Sequence, residues 1–163
     1  MDSAFNLWQL FMQIWVDADA TPVSVREILL KTAERTKIKI IFVSNQFLKI
    51  PVSRCIKVIK VSSGFDVVDN YIIENMDSMD LVITSDIPLA SEVLLKGGMA
   101  LSTRGEEYTQ ENINQRLNMR DFMETMRFSG VHTGGPKPFT KIEVRCFANA
   151  LDRIVTNKYK NRS

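Results

Sequence analysis

Residues 14–20 read Ile14-Trp15-Val16-Asp17-Ala18-Asp19-Ala20. A short apolar run that stops abruptly at acidic or small polar residues reads as a buried strand. Four further runs take the same form. Residues 40–43 run into Ser44-Asn45, and 58–61 into Ser62-Ser63-Gly64-Phe65-Asp66. Residues 81–83 run into Thr84-Ser85-Asp86, and 99–101 into Ser102-Thr103-Arg104-Gly105. Helical patterns separate the runs, so the strands read as parallel and covered on both faces. In an open α/β sheet, ligands bind just outside the carboxyl ends of the strands. Carboxylates from distant parts of the chain then meet at one edge, where they repel unless a cation sits among them. The pattern points to a divalent-metal site.

The element order supports a wound sheet. Thr21-Pro22 reads as an N-cap with Pro at the first helical position, opening a helix to about residue 36. Its apolar stripe is Val25, Ile28, Leu29, Thr32 and Ala33. Strands are expected over 38–43, 56–61, 81–84 and 99–101, with short helices over 67–75, capped by Asp66, and 88–96, stopped by Gly97-Gly98. A helix over 110–128, broken near Asn118, leads into a Gly/Pro-rich loop at 130–138. Thr140-Lys141-Ile142-Glu143 is a capping-box sequence for a last helix. The expected organisation is an N-terminal extension at 1–12, one domain at 13–157 and a frayed polar tail at 158–163.

With 163 residues, 45% of them hydrophobic, the chain is long enough to bury a full core. Cys55 and Cys146 have no metal-type spacing, which favours a reducing, cytoplasmic setting. The N-terminal stretch has no basic region and no unbroken apolar core, so it reads as neither signal peptide nor membrane span. The net charge of +2 divides into −2 over residues 1–100 (10 Lys/Arg, 12 Asp/Glu) and +4 over 101–163 (11 against 7). That asymmetry suits an anionic substrate that also meets a metal, although ordinary surface scatter explains it equally well.

Asp17 and Asp19, two apart, project to one side if the segment stays extended, and they are the strongest candidates. Asp66 and Asp69 share the first turn of a helix, where Asp66 serves equally as a cap and Asp69 has less structural excuse. Asp86 also stands where it can cap, beside the hydroxyls of Thr84 and Ser85, which suit a hard cation. Asp77 and Asp80 belong to the amino end of the fourth strand and are set aside. Arg104 follows the fifth strand and is expected to hold a phosphate bidentately. The turn 133–136, with Gly134 and Gly135, either exposes amides to an anion or is a plain turn. Asn45 and Ser85, at strand ends, complete the substrate-side candidates. A single histidine, His132, gives little support to a His-centred site.

Two families share parts of this pattern. Asp17-Ala18-Asp19-Ala20-Thr21 resembles the D-x-D-x-T signature of haloacid-dehalogenase-type phosphatases, in which the first Asp is a phosphorylated nucleophile. That family needs a helical turn and hairpin after the signature, a hydroxyl motif before the late acids, and a Lys near the phosphate. None of these is found here. The segments 14–20 (IWVDADA), 43–46 (VSNQ), 64–69 (GFDVVD), 80–90 (DLVITSDIPLA), 104–108 (RGEEY), 133–138 (TGGPKP) and 147–153 (FANALDR) resemble, in order, the bacterial YaiI/YqxD family of uncharacterised proteins. The likeness covers nearly the whole chain from Met12. The family pattern has Cys where Thr21 stands and more often Asp where Glu143 stands.

The resemblance implies a PIN-like three-layer α/β fold, with a mainly parallel, roughly five-stranded sheet and helices on both faces. It also implies Mg²⁺ or Mn²⁺ held by Asp17, Asp66 or Asp69, and Asp86, and RNA cut by a metal-activated water. Asp19 would compensate for the second acid of the "SGDxD" pattern, which is Pro88 here. A non-catalytic RNA- or nucleotide-binding module is the alternative of a different class.

Overall fold

A computed structural model describes residues 12–160 with the exception of Thr133 and Pro136. The extension expected at 1–12 falls almost wholly outside the described residues. Met12, the first described residue, is buried in the core.

The five apolar runs form strands; the second begins at Ile40, two residues later than expected, and runs through Ser44, and the third and fourth each end one residue early. In chain order the elements are β1 (Ile14–Asp17), a 3-10 turn (Ala18–Ala20), α1 (Val23–Thr36), β2 (Ile40–Ser44) and β3 (Ile56–Lys60). Then come α2 (Val67–Asn75), β4 (Leu81–Ile83), α3 (Ile87–Leu95), β5 (Met99–Leu101), β6 (Glu107–Tyr108), α4 (Gln110–Phe128) and α5 (Lys141–Lys160). The sheet has six strands in the order β3-β2-β1-β4-β5-β6, parallel except for β6 against β5. The sixth strand is one more than the sequence pattern shows. Two residues are too few for a period to register.

Period-two alternation splits the strand residues between two cores. Ile14, Val16, Phe42 and Ile83 pack under Val25 and Leu29 of α1 and under Phe147 and Leu151 of α5. Trp15, Ile41, Val43 and Val82 pack under Ile72 of α2, Leu89 and Val93 of α3, and Ile113 of α4. The result is the three-layer α/β arrangement expected, with every central strand apolar on both sides.

Several local expectations are corrected. Thr21 is not a side-chain cap: its hydroxyl donates to the Asp17 carbonyl at 2.8 Å, and Pro22 stands at the N-cap of α1. α4 runs unbroken through Asn118, opened by a Thr109–Asn112 capping box. α5 continues through Lys160, so the tail is helical further than its polarity suggests. Half of the Thr140–Glu143 box forms: the Thr140 amide donates to Glu143 at 2.7 Å, and the Thr140 hydroxyl accepts from the Ile142 amide at 3.2 Å.

The order of the strands creates one special position. From β1 the chain moves outward to β2 and β3, then returns on α2 to place β4 on the other side of β1. The connections leaving β1 and β4 diverge, α1 to one face and α3 to the other, and open a crevice at the carboxyl ends of these two neighbours. At the opposite end, buried Asp80 takes hydrogen bonds from the Gln13 amide (3.0 Å), Trp15 Nε1 (3.1 Å) and the Asp77 amide (2.9 Å). It is a bracket at the amino edge, away from the crevice, as expected.

Candidate active site

Parallel register places Val16 beside Ile83, so the next residues, Asp17 and Thr84, meet at the mouth of the crevice. Thr84 Oγ1 donates to Asp17 Oδ2 at 3.0 Å and accepts from the Asp86 amide at 3.0 Å. Asp86 Oδ1 in turn accepts from the Leu89 amide at 3.0 Å and caps α3. One buried hydroxyl therefore holds both acids, and Asp86 caps its helix as well as facing the site.

Asp69, in the first turn of α2, completes the group. Burial foremost, and then the negative charges of Asp86, Asp17, Asp66 and Glu92, push its carboxyl up to about 7. Asp17 is also raised: burial is the main cause, the Thr84 hydrogen bond opposes it, and Asp86 and Asp19 add to it. The charges acting on Asp69 are all acidic. Nothing in the sequence singles out Glu92. It reads as an ordinary solvent-facing residue of α3 until α2 packs alongside.

Asp19 departs from the paired arrangement. After Asp17 the chain tightens into the 3-10 turn, so the two carboxylates do not project side by side. Asp19 Oδ1 accepts from the Ser44 hydroxyl, and Oδ2 accepts from the Asn45 amide at 2.9 Å. It ties the end of β1 to the end of β2. Asp66 occupies the N-cap of α2 with a left-handed backbone (φ 61°) and no side-chain cap bond. Its carboxylate contributes charge to Asp69 instead.

The substrate-side candidates are spread along the same edge. Ser85 Oγ lies 3.0 Å from Thr103 Oγ1 and links β4 to β5. The Arg104 guanidinium donates to the carbonyls of Lys137 and Pro138 (3.4 Å for the latter), stands 3.8 Å from Glu143 and lies over the Phe139 ring. Arg104 thus fastens the segment entering α5 to the turn after β5. Gly134 has positive φ (78°), and a side chain at Gly134 or Gly135 would meet open space. Thr133 and Pro136 of that turn lie outside the described residues. Asn45 is half-buried, held through its amide.

The side chains brought together here, Asp17, Asp69, Asp86 and Thr84, offer oxygen donors, and hard divalent cations take that donor set. Among the described residues, no three acids, histidines or cysteines stand close enough to form a ready-made cage. The arrangement suits a cation that keeps much of its water and takes one or two carboxylates, as Mg²⁺ does. No helix among the described residues is long and apolar enough to cross a membrane.

A wound α/β domain with an acidic crevice at its switch point is the class of protein that fold and site define. The chain belongs to the family described as "Uncharacterized BCR, YaiI/YqxD family", whose model matches residues 15–157. A UPF0178 protein of Colwellia psychrerythraea is 58% identical over 151 residues, covering 93% of this chain and 100% of the relative. Those of Saccharophagus degradans and Shewanella sediminis are 54% and 56% identical, over 92% and 91% of this chain and 99% of each relative. No solved structure matches.

Proposed function

We propose that this protein is a PIN-like, divalent-metal-dependent nuclease acting on RNA. The observation that carries the reading is the convergence of Asp17, Asp69 and Asp86, from β1, α2 and the β4–α3 junction, with Asp69 pushed up to about 7. Such an excess of negative charge at a crevice costs stability unless a cation or a proton neutralises it. Asp17 and Asp86, each already oriented by one hydrogen bond, would hold Mg²⁺ or Mn²⁺. The bound ion would acidify a water and neutralise the scissile phosphate. Asp69 stands to orient the attacking water and accept its proton. Arg104 contributes by holding the 137–139 segment beside the site.

The phosphatase reading loses ground on two points. α1 starts at Val23, leaving no room for the extra turn and hairpin, and the Asp19 carboxylate is committed to Ser44 and Asn45 rather than offered as a general acid.

The test is incubation of mixed RNA with Mn²⁺ or Mg²⁺, comparing wild type with Asp17→Asn and Asp86→Asn. Metal-dependent cleavage lost in both variants is the expected result, with a metal-induced rise in melting temperature that Asp17→Asn abolishes. Turnover of phosphomonoesters through a trapped aspartyl-phosphate, without RNA cleavage, would replace this reading by the phosphatase. RNA binding without cleavage under any divalent metal would make the protein a binding module.

A further inference from the structure

Two of the most exposed large side chains lie on the same sheet edge as the acids. Phe47 stands three residues beyond the end of β2 and is 84% exposed; Phe65 stands five beyond the end of β3 and is 94% exposed. Neither is exposed because its loop is loose. Leu48 and Ile50, just after Phe47, pack against the core, and so does Val61, just before the turn that carries Phe65. Ser44 accepts from the Gln46 amide at 2.9 Å while its hydroxyl donates to Asp19, which pins the turn leading into Phe47. Phe65 is flanked by Gly64 (φ 149°) and Asp66 (φ 61°). A non-glycine residue in that region stores strain, and stored strain gathers at functional positions. Both rings are held out in water by built turns.

The surrounding charge is one-sided. Residues 35–65 contain seven Lys/Arg and no Asp or Glu. Lys49, Arg54, Lys57 and Lys60 are exposed along the connection and on β3, an edge strand of the sheet. Summing charge over the first hundred residues hides this stretch, because acids on either side cancel it. Lysines on an edge strand also discourage edge-to-edge aggregation. That purpose is defeated by two exposed phenylalanines beside them, so it explains the lysines and not the rings.

Cations that track a phosphate backbone, with aromatic faces on which bases stack, form the recognition surface for single-stranded nucleic acid. A duplex keeps its bases stacked on one another and has none to offer the rings. We propose that the β2–β3 rim is a binding track for single-stranded RNA. Bases stack on Phe47 and Phe65, phosphates meet Lys57 and Lys60, and the strand is led past Asp66 to the Asp17–Asp86 crevice. This inference rests on the nuclease reading for its direction and names the substrate class of that site.

The experiment measures binding of a fluorescein-labelled 12-nucleotide RNA of mixed sequence, alone and annealed to its complement. Full-length protein is used in EDTA, so that nothing is cleaved. Wild type is expected to bind the single strand in preference to the duplex. Phe47→Ala and Phe65→Ala should each weaken single-strand binding roughly tenfold without shifting duplex binding. Phe65→Tyr should retain it, since the stacking face survives. Lys57→Ala with Lys60→Ala should flatten the salt dependence and preserve the preference for single strands. Both rings are solvent-exposed, so the melting temperatures should match wild type. Single-strand binding unchanged in the Phe47→Ala/Phe65→Ala double variant, a preference for duplex, or no single-strand binding by wild type would each overturn the proposal. If the track binds as described and no metal supports cleavage, the inference stands and the nuclease reading falls. Asp17-dependent cleavage with binding indifferent to both rings gives the opposite result.

Discussion

Replacing Asp69 by Asn should stabilise the protein at pH 8 and change little near pH 4. Asp69 titrates at about 7 in the fold against 3.8 as a free side chain, so the folded state holds the proton more tightly than the unfolded one. A raised acid pKa means that ionisation opposes folding. Below about pH 4 the group is protonated in both states and costs nothing. The penalty grows as pH rises towards 7 and is complete above it. At 1.36 kcal/mol per pH unit, a shift of about three units converts to about 4 kcal/mol. Asp69 is only half-buried, and solvent screening reduces this to about 1–2 kcal/mol. Asn is neutral at every pH and escapes the penalty. Urea unfolding in EDTA at pH 4, 6, 7 and 8 should show a stability difference near zero at the acid end and growing to that size by pH 8. For a domain of this length, the corresponding rise in melting temperature is roughly 2–4 °C per kcal/mol. Mg²⁺ or Mn²⁺ should narrow the difference, because a bound cation favours the ionised cluster. An Asp69→Asn protein no more stable than wild type at pH 8, or a difference flat with pH, would refute the claim that surplus negative charge is concentrated here.

Three further outcomes follow from the packing. Asp80→Ala strands three donors, the Gln13 and Asp77 amides and Trp15 Nε1, and should cost about 3 kcal/mol or more in urea unfolding. Gly105→Ala puts a Cβ 2.5 Å from the Cys146 carbonyl carbon and 2.8 Å from the Phe147 amide, at a φ of 86°, where the main chains cannot yield. A loss on the order of 3 kcal/mol, read from urea midpoints, is expected. Arg104→Ala frees the Lys137 and Pro138 carbonyls, so amide hydrogen exchange should quicken around 137–139 while global stability moves by less than about 1 kcal/mol.

Much of the architecture is legible in short stretches. An apolar run ending in acid or hydroxyl residues specifies a strand and its carboxyl end together, because burial and the chain's exit from the sheet are both local. Caps are equally local: Asp86 before Pro88 and Thr140 before Glu143 act where they stand. What sequence periodicity misses is the two-residue strand β6, the continuity of α4 through Asn118 and the departure of Asp19 from Asp17. β6 exists only by pairing with β5, α4 packs against α3, and Asp19 is drawn away by Ser44 and Asn45, 25 and 26 residues on.

The acids of the site divide in the same way. The sequence alone determined that Asp17, Asp69 and Asp86 stand at strand ends or helix starts, since neighbouring residues set where elements stop. Which of these positions face one another is fixed by how the strands and helices pack. β4 lies against β1 because α2 carries the chain back across the sheet, and that contact joins Asp17 to Thr84 at 3.0 Å across 67 residues. The same packing recruits Glu92 to the field on Asp69, commits Arg104 to the carbonyls before α5, and stands Phe47 and Phe65 in water beside a cationic edge. Hydrophobic patterning specifies the face a residue takes. The residue opposite is chosen by the order in which strands assemble, and that order is a property of the whole chain.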